Sequence, residues 1–98
     1  MNGGPPAPDG PQRVAVDGGV VWQMVDGQVV LLTLARGRYF RLDEVGSRMW
    51  ELLDECHEVG VALQRLQAEF EVDAATLRDD LAAFIRTLVD AGLLSVQA

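Results

Sequence analysis

Residues 28–50 read QVVLLTLARGRYFRLDEVGSRMW. The first part, Val29-Val30-Leu31-Leu32-Thr33-Leu34, is almost wholly apolar, uncharged and half β-branched. A run this short, bounded by turn signals, predicts a strand buried on much of both faces. Ala35-Arg36-Gly37 then supplies a turn, with Gly37 able to take the left-handed conformation. Arg38-Tyr39-Phe40-Arg41-Leu42 alternates. Phe40 and Leu42 point to one face of a second strand, and Tyr39 and Arg41 to the other. Asp43 is a good N-cap for a helix running to about Leu53. Val45, Met49, Leu52 and Leu53 fall on one side of that helix, with Trp50 at the margin.

Working outward, Asp26-Gly27 is a hairpin signal, because both turn positions demand a positive φ that Asp and Gly tolerate. Val20–Val25 is therefore the antiparallel partner of the apolar run. A further short strand fits Gln12–Val16, with Asp17-Gly18-Gly19 as a turn. Residues 1–11, MNGGPPAPDGP, are rich in proline and glycine. They bury too little apolar surface to offset the entropy of ordering, so a disordered tail is expected there, with the domain over residues 12–98.

Downstream, Asp54-Glu55-Cys56-His57 reads as a connection. Val59, Leu63, Leu66 and Phe70 step by helical spacing, which predicts a second helix over about Glu58–Glu69. Asp73 caps a third helix over about Ala74–Ala91, whose apolar stripe is Leu77, Leu81, Phe84, Ile85, Leu88 and Val89. Gly92 stops it, and Leu93–Val96 packs back as an extended tail. The expected class is α+β: a three-stranded antiparallel sheet followed by three helices, winged helix-turn-helix-like in plan. The third strand of that sheet stands at an edge, where unpaired N–H and C=O groups accept another strand.

Composition narrows the function classes. The chain has 98 residues, 49% hydrophobic and 23% charged. A domain of that size has a modest core and little room for an enclosed active site. Eight arginines and no lysine stand against 15 acidic residues, a formal charge of −7. An acidic surface repels phosphate backbones, which argues against a winged-helix DNA-binding role. One cysteine leaves no intrachain disulfide and fits a reducing compartment. No apolar run is long enough to span a membrane and no signal peptide is visible, so a cytoplasmic protein is expected.

No catalytic constellation emerges. Cys56-His57 lacks a separate base, and no cluster offers the four ligands of structural zinc. Most carboxylates fall at caps, on polar faces or in the connection. Asp79 and Asp80, beside Arg78, are the ones placed to line a groove. There is no P-loop, G-x-G-x-x-G or G-x-S-x-G. No metal or other cofactor is expected.

The ordered set Val29–Leu34, Gly37–Gly46 and Met49–Leu53, then Leu66, Phe70 and Val72, then Leu77, Asp80, Leu81, Phe84, Ile85, Leu88, Gly92, Leu93 and Leu94, resembles the PqqD-like family over about residues 20–95. Its members are peptide-recognition elements of pathways that modify ribosomally made peptides. The resemblance implies a non-catalytic module that binds the leader segment of a precursor as an added antiparallel strand. The leader would lie on the third strand of the sheet, in a cleft walled by the third helix. It implies Arg38, Tyr39, Phe40, Arg41 and Leu42 as the docking edge, and Arg78, Asp79, Leu81, Ala82 and Ile85 as the facing helix positions. Arg38 and Arg41 would meet leader carboxylates, and Asp79 or Asp80 leader cations.

The Gly-x-Tyr-Phe-x-Leu run followed by Trp50 is similar to the discrete members of lasso-peptide clusters. Those pass the precursor to a leader peptidase and an ATP-dependent cyclase, and their leaders carry a Tyr-x-x-Pro element. The alternative within the family is a peptide chaperone for a radical enzyme in quinone-cofactor synthesis. Neither implies a nucleic acid or a membrane as partner.

Overall fold

The Asp26-Gly27 pair makes the turn that its residue types dictate. Both residues are left-handed, at φ 52° and 80°, and a two-residue turn of that hand matches the twist of the strands it joins. In the computed structural model, which describes residues 12–97, the joined strands are β2 (Val20–Val25) and β3 (Gln28–Thr33). Before them comes β1 (Arg13–Val16). After them come β4 (Arg38–Arg41), α1 (Glu44–Cys56), α2 (Val59–Glu69), α3 (Ala74–Asp90) and β5 (Leu94–Gln97). The tail expected over residues 1–11 lies outside the described residues.

The architecture is α+β. A three-stranded antiparallel sheet has the order β2-β3-β4, and β1 and β5 pair separately as a two-stranded antiparallel ribbon. The register runs Val20↔Thr33 to Val25↔Gln28 in the first hairpin and Thr33↔Arg38 to Val30↔Arg41 in the second. The C-terminal segment packs back extended, as expected, and pairs as a strand, with Leu94 opposite Val16 and Gln97 opposite Arg13.

The expectation of a doubly buried β3 is corrected. Val29, Leu31 and Thr33 are buried, whereas Leu32 is 37% exposed and Val30 half-buried. Leu34, just past the strand, is 62% exposed. The helices cover one face of this antiparallel sheet and leave the other to solvent, so burial alternates. Helix α1 buries Met49, Leu52 and Leu53 as expected, but its buried face takes in Trp50 and leaves out Val45. Trp50 is fully buried and meets Trp22 edge-on, with ring centroids 6.3 Å apart and planes at 81°. Val45 is 40% exposed. The buried stripe comprises Gly46, Ser47, Met49, Trp50, Leu52 and Leu53.

Helix α1 also continues past Leu53 through Cys56, across most of the expected connection. His57 ends it in the left-handed conformation at φ 62°, its N–H donating to Leu53 O at 2.9 Å. With no glycine at this position, the stop carries no sequence signal. Helix α3 matches its predicted span. The Asp73 carboxylate accepts from Ala75 N and Thr76 N, and Gly92 is left-handed at φ 79°. Val29 and Leu31 of β3 join Trp50, Leu53, Leu66, Leu81 and Leu93, among others, in one buried cluster.

Candidate functional site

The junction between β4 and α1 sets the geometry of the open sheet edge. Asp43 caps α1, its Oδ1 accepting from Gly46 N at 2.7 Å. Ser47, on the first turn of the helix, is buried, and its hydroxyl accepts from Val29 N at 2.7 Å and donates to Leu42 O at 3.3 Å. Leu42 N donates to Val29 O at 2.9 Å. The hydroxyl therefore bridges the one N–H and C=O that would otherwise pair directly, and it welds β3, β4 and α1 together.

Those bonds fix the parity of β4. In an antiparallel ladder a residue's N–H and C=O point to the same side, and the side alternates along the strand. Leu42 bonds to β3, and Arg38 N and O both meet Thr33 Oγ1 at 3.3 Å. Leu42, Phe40 and Arg38 thus turn their backbone polar groups toward β3. Tyr39 and Arg41 turn theirs to the free edge, because β4 has a sheet neighbour on one side only. Side chains alternate the other way across the sheet. Phe40 sits opposite buried Leu31 and packs on the core, while Tyr39 is 69% exposed on the outer face.

Helix α3 reaches the β4–α1 junction through Phe84. A Cβ placed on Gly46 would meet Asp43 Oδ1 at 3.0 Å, Phe84 Cε1 at 3.3 Å and Leu42 Cβ at 3.6 Å. The glycine is what lets the ring approach so closely. Phe40, Leu42 and Phe84 are half-buried side chains packed against the core, an apolar strip that runs from β4 to the Gly46 turn. Sequence reasoning put Phe84 in the core stripe and left it, with Gly46 and Ser47, out of the site. The usable signal was the glycine three residues after a helix-capping aspartate.

The other facing positions spread around α3. Leu81 is core, 1% exposed. Ala82 and Ile85 line a separate groove of ≈310 Å³ with Val59, Arg86, Val89 and Val96. Ala82 lies two residues, and so about 200°, around the helix from Phe84. Arg78 is half-buried and Asp79 and Asp80 are exposed. Asp80, four residues before Phe84, lies on the same side as that ring.

Charge is distributed unevenly. Among the described residues, ion pairs join Arg13 to Glu58, Arg48 to Glu51 and Glu69, and Arg65 to Glu55. Arg36, Arg38 and Arg41 on the β3–β4 hairpin take no part in them. The Arg38 guanidinium lies over the Phe40 ring, 5.2 Å from its centroid. Away from the edge, Arg48 grips Glu69 through two bonds, Nε–Oε1 at 2.7 Å and Nη2–Oε2 at 2.8 Å. That pairing raises the arginine pKa and holds the Glu69 carboxyl below its ordinary value.

Cys56 closes α1 with Arg65 Nη1 3.5 Å from its sulfur, and His57 is exposed. Among the described residues no group of three or more His, Cys, Asp or Glu side chains is placed to hold a metal ion. No helix among the described residues is long and apolar enough to cross a membrane.

The family model for coenzyme PQQ synthesis protein D matches residues 28–94, which takes in β3, β4, all three helices and the start of β5. This chain belongs to the PqqD family. A comparison with curated proteins gave no match. Among solved structures, TbiB1 in complex with the TbiA(beta) leader peptide is 41% identical, with a TM-score of 0.78. The match covers 82% of this chain and 93% of TbiB1. A lasso peptide synthetase B1 complexed with its leader peptide is 23% identical, with a TM-score of 0.77 over 85% of this chain and 98% of that one. At that identity the second likeness is one of fold.

Proposed function

We propose that this PqqD-family chain binds the leader segment of a ribosomally made precursor peptide as an added antiparallel strand on β4. The bound precursor is then passed to the leader peptidase and ATP-dependent cyclase of a lasso-peptide pathway in the cytoplasm. The role is binding, not turnover. The observation that carries this reading is the open edge of β4, where the N–H and C=O groups of Tyr39 and Arg41 face outward beside the Phe40–Leu42–Phe84 strip. Main-chain bonds along such an edge give affinity, and the strip beside it gives choice and register. The 41% identical TbiB1, solved with a leader peptide, supports the same reading.

Within the family, the quinone-cofactor role is favoured by the description of the matching model. The DNA-binding role has no such support, because α3 exposes Asp79, Asp80 and Asp90.

The test is a fluorescence-polarisation titration with the leader of the precursor encoded beside this protein. A leader with its Tyr-x-x-Pro residues both changed to Ala serves as comparison. Saturable binding that is lost with the altered leader is the expected result. Binding insensitive to the change would transfer the module to quinone-cofactor synthesis. No binding at high micromolar protein would overturn the reading.

A further inference from the structure

We propose that the β4–α3 cleft reads the charge order of its peptide. It takes a strand with an acidic side chain opposite Arg38 and apolar side chains opposite Phe40 and Leu42, the acidic one nearest the peptide's C-terminal end. This rests on the strand-addition reading above.

The parity of β4 supplies the register. Residues directly opposite each other in an antiparallel pair project to the same face. Peptide residues opposite Phe40 and Leu42 therefore project onto the helix-covered face, into the apolar strip with Phe84. The next residue on that face lies opposite Arg38. An antiparallel strand meets Leu42 first and Arg38 last, so its pattern from the N-terminal end is apolar-x-apolar-x-acidic.

Arg38 is prepared for that role. Its backbone is held by Thr33 Oγ1 on both N and O. Its guanidinium rests on the Phe40 ring, which lowers the entropy lost when an ion pair forms. Arg41 shares the strand but projects to the outer face, away from the cleft.

The direction of α3 separates the cleft's two signs. Phe84 lies against Gly46 beside Leu42, whereas Ala91 and Gly92 share a depression with Thr33 and Arg36. Thr33 is the register partner of Arg38. Helix α3 thus runs antiparallel to β4, with its C-terminal end toward the Thr33–Arg36 turn that precedes Arg38. Asp80 lies about 6 Å along the axis on the other side of Phe84, beyond Leu42. The other acids to weigh near Arg38 are Asp17 and Asp90. The carboxylate of Asp17 accepts from Gly19 N at 3.0 Å, and Asp90 lies about 240° around the helix from Phe84. The cleft therefore offers a cation at one end and an anion at the other, within a chain of net charge −7.

The experiment is a charge-swap cycle by fluorescence polarisation, with the fluorescein-labelled leader of the adjacent precursor. Arg38→Glu should weaken binding about tenfold, and Arg41→Glu by less than about threefold. Replacing one particular leader carboxylate by Gln should weaken binding to the unaltered protein about fivefold, which needs no change to the fold. Replacing that carboxylate by Arg should restore binding to the Arg38→Glu protein. If no leader charge swap restores it, or if the two arginine reversals are indistinguishable, the inference is overturned. If the unaltered leader fails to bind the unaltered protein, the leader-binding reading falls and takes the inference with it. If the leader binds and Arg41→Pro blocks it while every charge swap is silent, the inference alone falls.

Discussion

Strands β1 and β4 are each four residues long, and each lies at a margin of the molecule, yet they are held differently. Strand β1 is engaged on both sides. It pairs with β5 from Arg13↔Gln97 to Val16↔Leu94, and on its other side Val14 N donates to His57 O at 2.9 Å while Gln12 O accepts from Val59 N at 3.0 Å. Its Val14 is 1% exposed. Strand β4 has β3 as its only strand partner, and Tyr39 and Arg41 keep backbone groups turned outward. Where a strand is bonded on both sides, it can only support the fold. Where alternate groups are left over next to a half-buried apolar strip, the strand can take another chain without disturbing its own ladder.

The largest effect belongs to the closed margin. Val14→Asp puts a carboxylate into the core under the ribbon and should cost about 3–4 kcal/mol of stability. Urea denaturation reads it directly, and leader affinity should fall only in proportion to the unfolded fraction. An unchanged midpoint would mean that β1 is not part of the cooperative unit.

Leu81→Ala comes next, at about 2–4 kcal/mol, because the side chain is 1% exposed in the shared core. Any leader binding lost with this variant must be corrected for unfolding, so Leu81 is a poor probe of the cleft. Phe84→Ala is a better one, since that ring is half-buried at the Gly46 turn after β4.

The sharpest test of the open margin is a pair of prolines. Arg41→Pro removes an outward N–H and no bond to β3, so leader affinity should fall at least about tenfold while the melting temperature moves by a few degrees. Phe40→Pro removes an inward N–H as well as a half-buried ring, and should cost about 2–4 kcal/mol of stability. Thermal melts beside polarisation titrations separate the two. Equal destabilisation by both would break the parity assigned to β4.

Much of this contrast was legible in the residues. Asp26-Gly27 fixed one hairpin, Gly37 the next, and the alternation in Arg38–Leu42 named both faces of β4. Asp43 and Asp73 announced two helix starts. Other features were hidden because they depend on contacts distant in sequence. A left-handed His57 looks like any loop residue until Leu53 O is seen to accept its N–H. The tail at Leu94–Gln97 becomes a strand only because Arg13–Val16 lies beside it. The full burial of Trp50, read as marginal, goes with its contact to Trp22, 28 positions earlier in the chain. Ala82 and Phe84 are two residues apart, but helical geometry sends one to a separate groove and the other to the Gly46 turn after β4.

The smallest effect lies outside both margins and serves as their control. Arg48 on α1 holds Glu69 at the end of α2 by two short bonds, and the two side chains are 30% and 37% exposed. Solvent screens a pair so placed, so it contributes only about 0.5 kcal/mol. The arginine bond lowers the Glu69 pKa in the folded state, so this contribution is fully present above the unfolded carboxyl pKa of about 4.3. It is lost as pH falls through the lower, folded-state value. Glu69→Gln should therefore lower stability slightly at pH 7 and make no difference at the acid end of the titration. Leader binding at pH 7 should not change, because neither α1 nor α2 contributes a free backbone group to the β4 edge. A drop in affinity from Glu69→Gln at full folding would show that the Arg48 side of the molecule is coupled to the open strand through Ser47.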